Sequence, residues 1–205
     1  MHRQRKTKKN ILQNTAMERS KRKLPISVEI DGKEVFIRNR CDYDVVLDVI
    51  ESLNNNELDE QEKIYHSLFI FYETKPEEIE DVQKALDEMM KIINIGEEID
   101  ESQERKPQLM DWNHDFQQIA PPISRVLGYS VRDERNYTHW WDFVGAYTEI
   151  GTECTFYTIV SIRSKKAKGK KLEDWEQEFY RENKKLVDLP MRLTAEEEAW
   201  LSDDW

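Results

Sequence analysis

The chain has 205 residues and a formal net charge of −11, with 36% charged and 38% hydrophobic residues. This length allows one domain with a sizeable core or two small ones, and six glycines with six prolines are too few for a turn-rich β-sandwich. No apolar run reaches the about 18 residues of a membrane-spanning helix, and the basic N-terminus lacks the apolar segment of a secretory signal.

The net charge is unevenly distributed along the chain. Residues 1–24 contain nine Lys/Arg and one acidic residue, which gives +8 and leaves −19 for residues 25–205. A basic arm of this kind can attract phosphate groups, but it has no aromatic residue on which a base could stack. We therefore predict a disordered leader, and Met17 offers a second start site.

The first predicted element is a β-hairpin. Apolar residues alternate over 26–30 and 33–37, and Asp31-Gly32 between them is a strong turn signal. Because two strands alone are only marginally stable, we expect the hairpin to pack on the helices that follow.

Three helices are predicted next, and with the hairpin they make up an N-terminal part, residues 25–95. The first is N-capped by Asp42, the second runs from about Asp59 to Tyr72, and the third begins near Pro76. Apolar residues at helical spacing are predicted to face inward. They are Tyr43, Val46, Leu47, Ile50 and Leu53, then Ile64, Leu68, Phe71 and Tyr72, then Ile79, Val82, Leu86, Met89 and Ile93.

The polar residues 96–108 are predicted to be an acidic linker to a C-terminal part, residues 109–205. A helix near 115–127 contains Pro121-Pro122, where we expect a kink or a restart. Just before it, residues 111–115 carry side chains of the kind that bind metals. That pattern is more typical of a helix N-terminus than of a metal site.

The helix predicted over 138–150 contains adjacent tryptophans, Trp140 and Trp141, which project about 100° apart. Phe143, Val144 and Tyr147 continue the face of Trp140 at i+3, i+4 and i+7. Trp140 is therefore predicted to lie in the core, and Trp141 on its flank against a neighbouring helix or a partner protein.

The remaining elements are also predicted as helices. β-Branched residues over 155–162 favour a strand, whereas Phe156, Ile159 and Val160 share one helical face, and we predict a helix. A lysine-rich loop follows, then a helix over 172–188 and a short final helix that opens on a capping box at Thr194. The inward-facing residues of the 172–188 helix are predicted to be Leu172, Trp175, Phe179 and Leu186. The predicted fold is mainly α, with one N-terminal β-hairpin and an acidic mid-chain linker.

The sequence predicts no enzyme, catalytic residue, cofactor or metal site. It contains no phosphate-binding loop, HExxH pair, zinc-ligand spacing or nucleophile elbow. His139 could pair with Asp142 as a base with its orienting acid, but no nucleophile accompanies them, so a structural histidine is favoured. Cys41 and Cys154 are predicted to be idle thiols in a reducing cytoplasm.

A cluster of five lysines within seven residues, over 165–171, is the most concentrated charge of the C-terminal part. A solvated loop is the more ordinary interpretation of such a cluster. The functional interpretation is docking to an acidic helix of a partner or to nucleic acid.

Residues 25–200 resemble the bacteriophage gene-product-fifteen family of siphophages and prophages. The resemblance lies in the order of short motifs, since none of them is diagnostic alone. They are Val28–Lys33, Asp115-Phe116 with Ile119-Ala120, Leu127–Tyr129, His139–Phe143, Ile162-Arg163 with Lys165-Lys166, Gly169–Leu172, Glu176–Tyr180, Asn183–Lys185 and Asp188–Pro190. The basic leader departs from the family.

Proteins of this family look like tail assembly chaperones. The resemblance implies that the chain binds the tape measure protein in the host bacterial cytoplasm, keeps it soluble, helps recruit tail tube proteins and leaves before the virion is complete. Helix-in-groove contacts would cover the apolar stripe of such a partner. The candidate partner-binding residues are Trp112, Trp141, Lys165, Lys166, Lys168, Lys170, Lys171 and Trp175.

An alternative hypothesis is a nucleic-acid-binding phage regulator that uses the basic leader and the lysine loop. The −19 charge of residues 25–205 disfavours it, because that charge repels phosphates. No membrane partner is expected, and the oligomeric state stays open.

Overall fold

The computed structural model describes residues 23–96 and 107–190, which form one β-hairpin and eight α-helices. The predicted mainly helical fold with an N-terminal hairpin is therefore confirmed. The elements are β1 (Ser27–Ile30), β2 (Lys33–Phe36), α1 (Tyr43–Leu53), α2 (Glu60–Phe71), α3 (Val82–Ile93), α4 (Trp112–Leu127), α5 (Trp140–Thr148), α6 (Thr155–Ala167), α7 (Asp174–Glu182) and α8 (Lys184–Val187). Single turns of 3₁₀ helix occur at Arg38–Arg40 and Pro76–Glu78.

The hairpin forms as predicted. Strands β1 and β2 are antiparallel, with Ile30 opposite Lys33 across the turn. Asp31 and Gly32 have φ values of +49° and +76°, the left-handed pair that a two-residue hairpin turn of matching twist requires. Val28 and Val35 are buried, so one face of the hairpin packs on the helices.

One hydrophobic core takes side chains from both sides of the predicted linker. Helix α1 lies against α2, α4 and α5, and its Tyr43 ring stacks on Phe143 of α5 at 4.4 Å between centroids. The Tyr43 hydroxyl donates to the Val131 carbonyl at 2.7 Å. A smaller core joins Ile159 and Ile162 of α6 to Val187 of α8.

The predicted inward faces of α1 and α2 are confirmed, whereas that of α3 is wrong in part. Asp81 caps α3 by accepting from the Lys84 N–H at 2.9 Å, so the helix begins at Val82 and not near Pro76. Ile79 is buried, but it lies in extended backbone before the helix. The helical spacing counted from Ile79 therefore does not describe α3. Val82 is consequently 42% exposed, and the buried face of α3 consists of Ala85, Met89 and Ile92.

Helix α4 runs through Pro121 and Pro122 as one helix, so the predicted restart does not occur, and the alternative, a kink, stays a prediction. A proline removes one intrahelical hydrogen bond, but Ile119, Pro122 and Ile123 bury their apolar side chains on the core face. The helix also begins earlier than predicted, at Trp112. Residues 111–115 form its N-terminus, as their pattern indicated.

The predicted helix over 155–162 is confirmed, with Phe156 and Ile159 buried, but it continues to Ala167. Lys165 and Lys166 therefore belong to α6 and not to a loop. Gly169 ends the helix at φ +62°, with the Lys170 N–H donating to the Lys165 carbonyl at 2.9 Å.

The single helix predicted over 172–188 is two helices, α7 and α8, which meet at Asn183 with a non-helical φ of −119°. Trp175 was predicted to face inward, yet it is 54% exposed, and its neighbour Glu176 is buried. Glu176 takes the inward position instead, because its carboxylate accepts two hydrogen bonds from Lys165. The predicted capping box at Thr194 and Glu197, most of the linker and nearly all of the leader lie outside the described residues.

A buried ion pair holds the C-terminal helices together. Arg163 of α6 donates to the Asp115 carboxylate of α4 through both terminal nitrogens, at 2.7 and 2.8 Å. The remaining donors of Arg163 reach the carbonyls of Leu109, Leu186 and Val187 at 2.6 to 3.0 Å. All five N–H donors of the guanidinium are thus satisfied, as a buried charge requires.

We predict that Arg163→Lys lowers the free energy of unfolding by about 3 kcal/mol or more, because lysine cannot form the two-pronged bond and leaves buried acceptors unpaired. Urea denaturation followed by circular dichroism measures this loss. Arg181→Lys on α7 is the matched control, because Arg181 is exposed and lies 3.8 Å from Glu178. Its effect should stay within about 0.5 kcal/mol, and equal effects of the two changes would contradict the role of Arg163.

Candidate functional site

The described residues contain no group of three or more His, Cys, Asp or Glu side chains arranged to hold a metal. Within the same two ranges, no helix has the length and apolar character to cross a membrane. Cys41 is a buried free thiol whose pKa burial raises to about 12, so it stays protonated and unreactive near neutral pH. Cys154 is a free, half-buried thiol.

His139 is a structural residue, as the sequence favoured. Its Nδ1 accepts from the Trp141 N–H at 3.0 Å and caps α5, while its Nε2 lies 2.9 Å from the Pro25 carbonyl. A carbonyl can only accept, so Nε2 carries the proton and the ring is neutral. Burial lowers the pKa of His139, which agrees with this assignment.

The two adjacent tryptophans close the C-terminal end of α3. The Trp140 indole N–H donates to the Ile93 carbonyl and that of Trp141 to the Ile92 carbonyl, both at 2.9 Å. Both carbonyls lie in the last turn of α3, where i+4 backbone donors run out, and the Ile92 carbonyl also accepts from the Ile95 N–H at 3.1 Å. We call this pair of contacts the indole clasp.

The indole clasp shows where both tryptophans lie within the fold. Trp140 is 3% exposed and lies in the core, as predicted. Trp141 is half-buried over Gly96, so the neighbouring helix is the contact that it makes within the chain. Ile95, between the helix and Gly96, has φ +58°, an unfavourable conformation for a β-branched residue that this tight helix end imposes.

Trp112 belongs to an aromatic cluster and not to an open surface. Its ring meets Trp140 edge to face at 5.6 Å between centroids and Tyr147 at 5.1 Å. The side chain is half-buried, and Phe143 lies 5.8 Å away on a third side. Contact of Trp112 or Trp141 with a partner stays a prediction.

The five lysines of the predicted cluster fall into two groups. Lys165 donates to the buried carboxylate of Glu176 at 2.7 and 2.8 Å. Lys166 pairs with Asp188 at 2.7 Å and lies 3.8 Å from the centre of the Tyr180 ring. Lys168, Lys170 and Lys171 are exposed beyond the end of α6. The first group pairs with acidic residues at α7 and α8, although Lys166 stays exposed, and the second group presents its charge to solvent.

These pairings shift the pKa of their carboxylates. Burial acts to raise the pKa of Glu176, but the Lys165 hydrogen bonds leave it below its ordinary value. Asp188 behaves in the same way, with Lys166 and Tyr180 as its donors. Trp175, half of whose surface is open, donates through its indole N–H to Glu173 at 2.9 Å.

The structure reveals an apolar groove that the sequence analysis missed. It has a volume of about 370 Å³ and lies between α2, the Pro76–Glu78 turn and the first residue of α3. Its lining consists of Gln61, Ile64, Tyr65, Leu68, Pro76, Glu77 and Val82. We call it the α2 groove.

The groove has a buried floor and exposed walls. Leu68 and Pro76 are buried, whereas Tyr65 and Val82 are each 42% exposed. The Tyr65 hydroxyl donates to Glu77 Oε1 at 2.5 Å, which joins one wall to the other. An exposed apolar concavity of this kind is typical of a binding surface.

A signal for the groove was present in the sequence. Tyr65 and Phe69, spaced i and i+4, lie beside the inward face of Ile64, Leu68 and Phe71, and both are exposed. Helix α2 is therefore apolar over more of its circumference than one core-facing stripe requires.

We predict that Trp141→Phe lowers the free energy of unfolding by about 1 kcal/mol, because it removes the indole hydrogen bond to the Ile92 carbonyl and leaves that carbonyl with the Ile95 N–H as its donor. Urea denaturation is again the measurement. Trp175→Phe serves as the control, since Trp175 is largely exposed, and it should change stability by less than about 0.5 kcal/mol. Stability changes of the same size would show that the clasp contributes nothing.

A second prediction concerns pH. The folded pKa of His139 lies below its ordinary value, so below about pH 6.5 the unfolded chain binds a proton that the folded chain resists. The contribution of His139 to the free energy of unfolding should be constant above that pH. It should decrease as the pH drops from 7 towards 5. His139→Asn keeps a capping oxygen without a titrating ring, and unfolding measured across this range should then vary less. An unchanged slope in the variant would refute the assignment.

Comparison with known proteins identifies the family. A family profile described as Bacteriophage Gp15 protein matches residues 21–189, which include every helix and strand described above. Searches of curated proteins and of solved structures found no significant match. The resemblance seen in the sequence is confirmed by this match: the chain is a phage protein with a helical fold, and it belongs to the bacteriophage Gp15 protein family.

Proposed function

We propose that this protein is a tail assembly chaperone-like protein. It binds the tape measure protein, keeps it soluble, helps recruit tail tube subunits and is absent from the mature virion. Membership of a phage family supports a role in phage development. The observation that carries the proposal is the α2 groove, an apolar surface left open on a chain of net charge −11.

The groove suits a chaperone that works by covering a surface. A long helical partner with an apolar stripe aggregates through that stripe, and a complementary apolar groove removes the stripe from water. The acidic remainder of the chaperone keeps the complex soluble through charge repulsion between complexes. Because the groove is small, one chaperone covers only a short length of the partner, and several copies act along it.

The proposed mode of action is binding without catalysis. Cys41 is buried as a protonated thiol and both ring nitrogens of His139 are hydrogen-bonded, so neither of these two groups is placed to act as a nucleophile or a base. Release before the virion is complete requires contacts that tube subunits can displace, and a shallow groove provides such contacts.

Co-expression with the tape measure protein of the same phage tests the proposal. The tape measure protein should move from the insoluble to the soluble fraction and co-purify with this chain in gel filtration. Expression alone, and expression with an unrelated acidic helical protein of similar size, are the controls. A tape measure protein that stays insoluble, or that is soluble without association, would refute the proposal.

A further inference from the structure

We infer that the α2 groove binds a cationic amphipathic helix. Its apolar residues, spaced i, i+3, i+4 and i+7, enter the groove, and its flanking Lys/Arg side chains meet the acidic rim. The inference rests on the proposed function in taking the tape measure protein as the source of that helix.

The shape of the groove fits a helix. One wall is a single face of α2, from Gln61 to Leu68, which extends for about 10 Å along the helix axis. The Pro76–Glu78 turn and Val82 form the opposite wall, and the long side facing solvent is open. An elongated apolar trough of this kind receives a row of side chains from a helix laid along it.

The walls of the groove are held in place before a partner binds. The Tyr65 ring stacks nearly parallel to the Phe69 ring, with 6.5 Å between centroids and 8° between planes. Its hydroxyl is anchored on Glu77, and Arg38 lies 5.7 Å from the Phe69 ring. A groove with fixed walls loses little side-chain freedom on binding, which favours affinity.

The rim of the groove selects a positively charged partner. Residues 57–82 contain nine acidic side chains and two lysines, a local charge of −7. Glu77 lies in the lining itself, and the hydrogen bond from Tyr65 lowers its pKa, so it stays ionised. Lys63 lies 3.5 Å from Glu60, and Glu80 pairs with Lys33 of β2, so these two acids are partly neutralised and the other acidic side chains supply the negative charge. Complementary charge on the partner therefore governs both its orientation and its rate of association.

The same charge argues against a second copy of this chain as the occupant. A symmetric contact would place the same surface on both subunits and bring two segments of −7 together. Such an arrangement is repulsive in the absence of a compensating cation. The partner chemistry that fits is apolar in the centre and basic on its flanks.

Two designed peptides of 18 residues test the inference. They share one leucine stripe, and one carries Lys/Arg and the other Glu on the flanks. Fluorescence anisotropy with the full chain should show the cationic peptide binding at least about tenfold more tightly at low salt, and the difference should shrink as salt is added. Equal affinity of the two peptides would overturn the inference.

Two matched variants separate binding in the groove from unspecific attraction to an acidic protein. Val82→Gln removes an apolar wall residue at the exposed first position of α3. It should lower the affinity for the cationic peptide at least about fivefold. Val126→Gln, on α4, changes an equally exposed valine outside the groove and should leave affinity unchanged. Equal effects of the two variants would overturn the inference, as would a dimer of the full chain that Val82→Gln dissociates.

The peptide experiment is independent of the proposed function. If the cationic peptide binds in the groove but co-expression leaves the tape measure protein insoluble, the proposed function fails and the inference about the groove stands. If co-expression succeeds equally with the wild-type chain and Val82→Gln, and the peptides do not bind, the function stands and the groove is not its site.

Discussion

The C-terminal half of this protein depends on the buried ion pair between Arg163 and Asp115. Two charges removed from water are stable only where every donor and acceptor is paired, and that condition fixes α4, α6 and the chain around α8 in one arrangement. The orientation of α6 then decides where its other cations lie. Lys165 and Lys166 turn towards Glu176 and Asp188, so that two of the five lysines of the apparent basic patch stabilise α7 and α8.

The indole clasp connects the C-terminal helices to the N-terminal half. Trp140 and Trp141 on α5 hold the last carbonyls of α3, and α3 packs in turn on α2 and β1. Val82, at the other end of α3, forms one wall of the α2 groove. The proposed binding surface is thus supported from behind by the core and is not a flexible loop, which is the preorganisation that a small binding site needs.

The tryptophans that first suggest partner contacts are largely occupied within the fold. Trp112 and Trp141 pack on other elements of the chain, and only Trp175 presents half of its surface to solvent. The open apolar surface lies instead on α2, beside Tyr65. In the proposed function, the conspicuous aromatic residues build the scaffold, and a less conspicuous helical face contacts the partner.

The sequence by itself determined the local structure. The left-handed Asp31-Gly32 turn, the Asp42 cap and the apolar spacing of α6 act through neighbours in the chain, so they could be predicted from it. Tertiary structure decided what depends on distant groups. Trp141 finds its acceptor at Ile92, and Val82 faces the groove that α2 forms with the Pro76–Glu78 turn. A residue pattern shows which side chains can be buried or hydrogen-bonded. It does not show which group each one contacts, because that group comes from a distant part of the chain and is brought close only by packing.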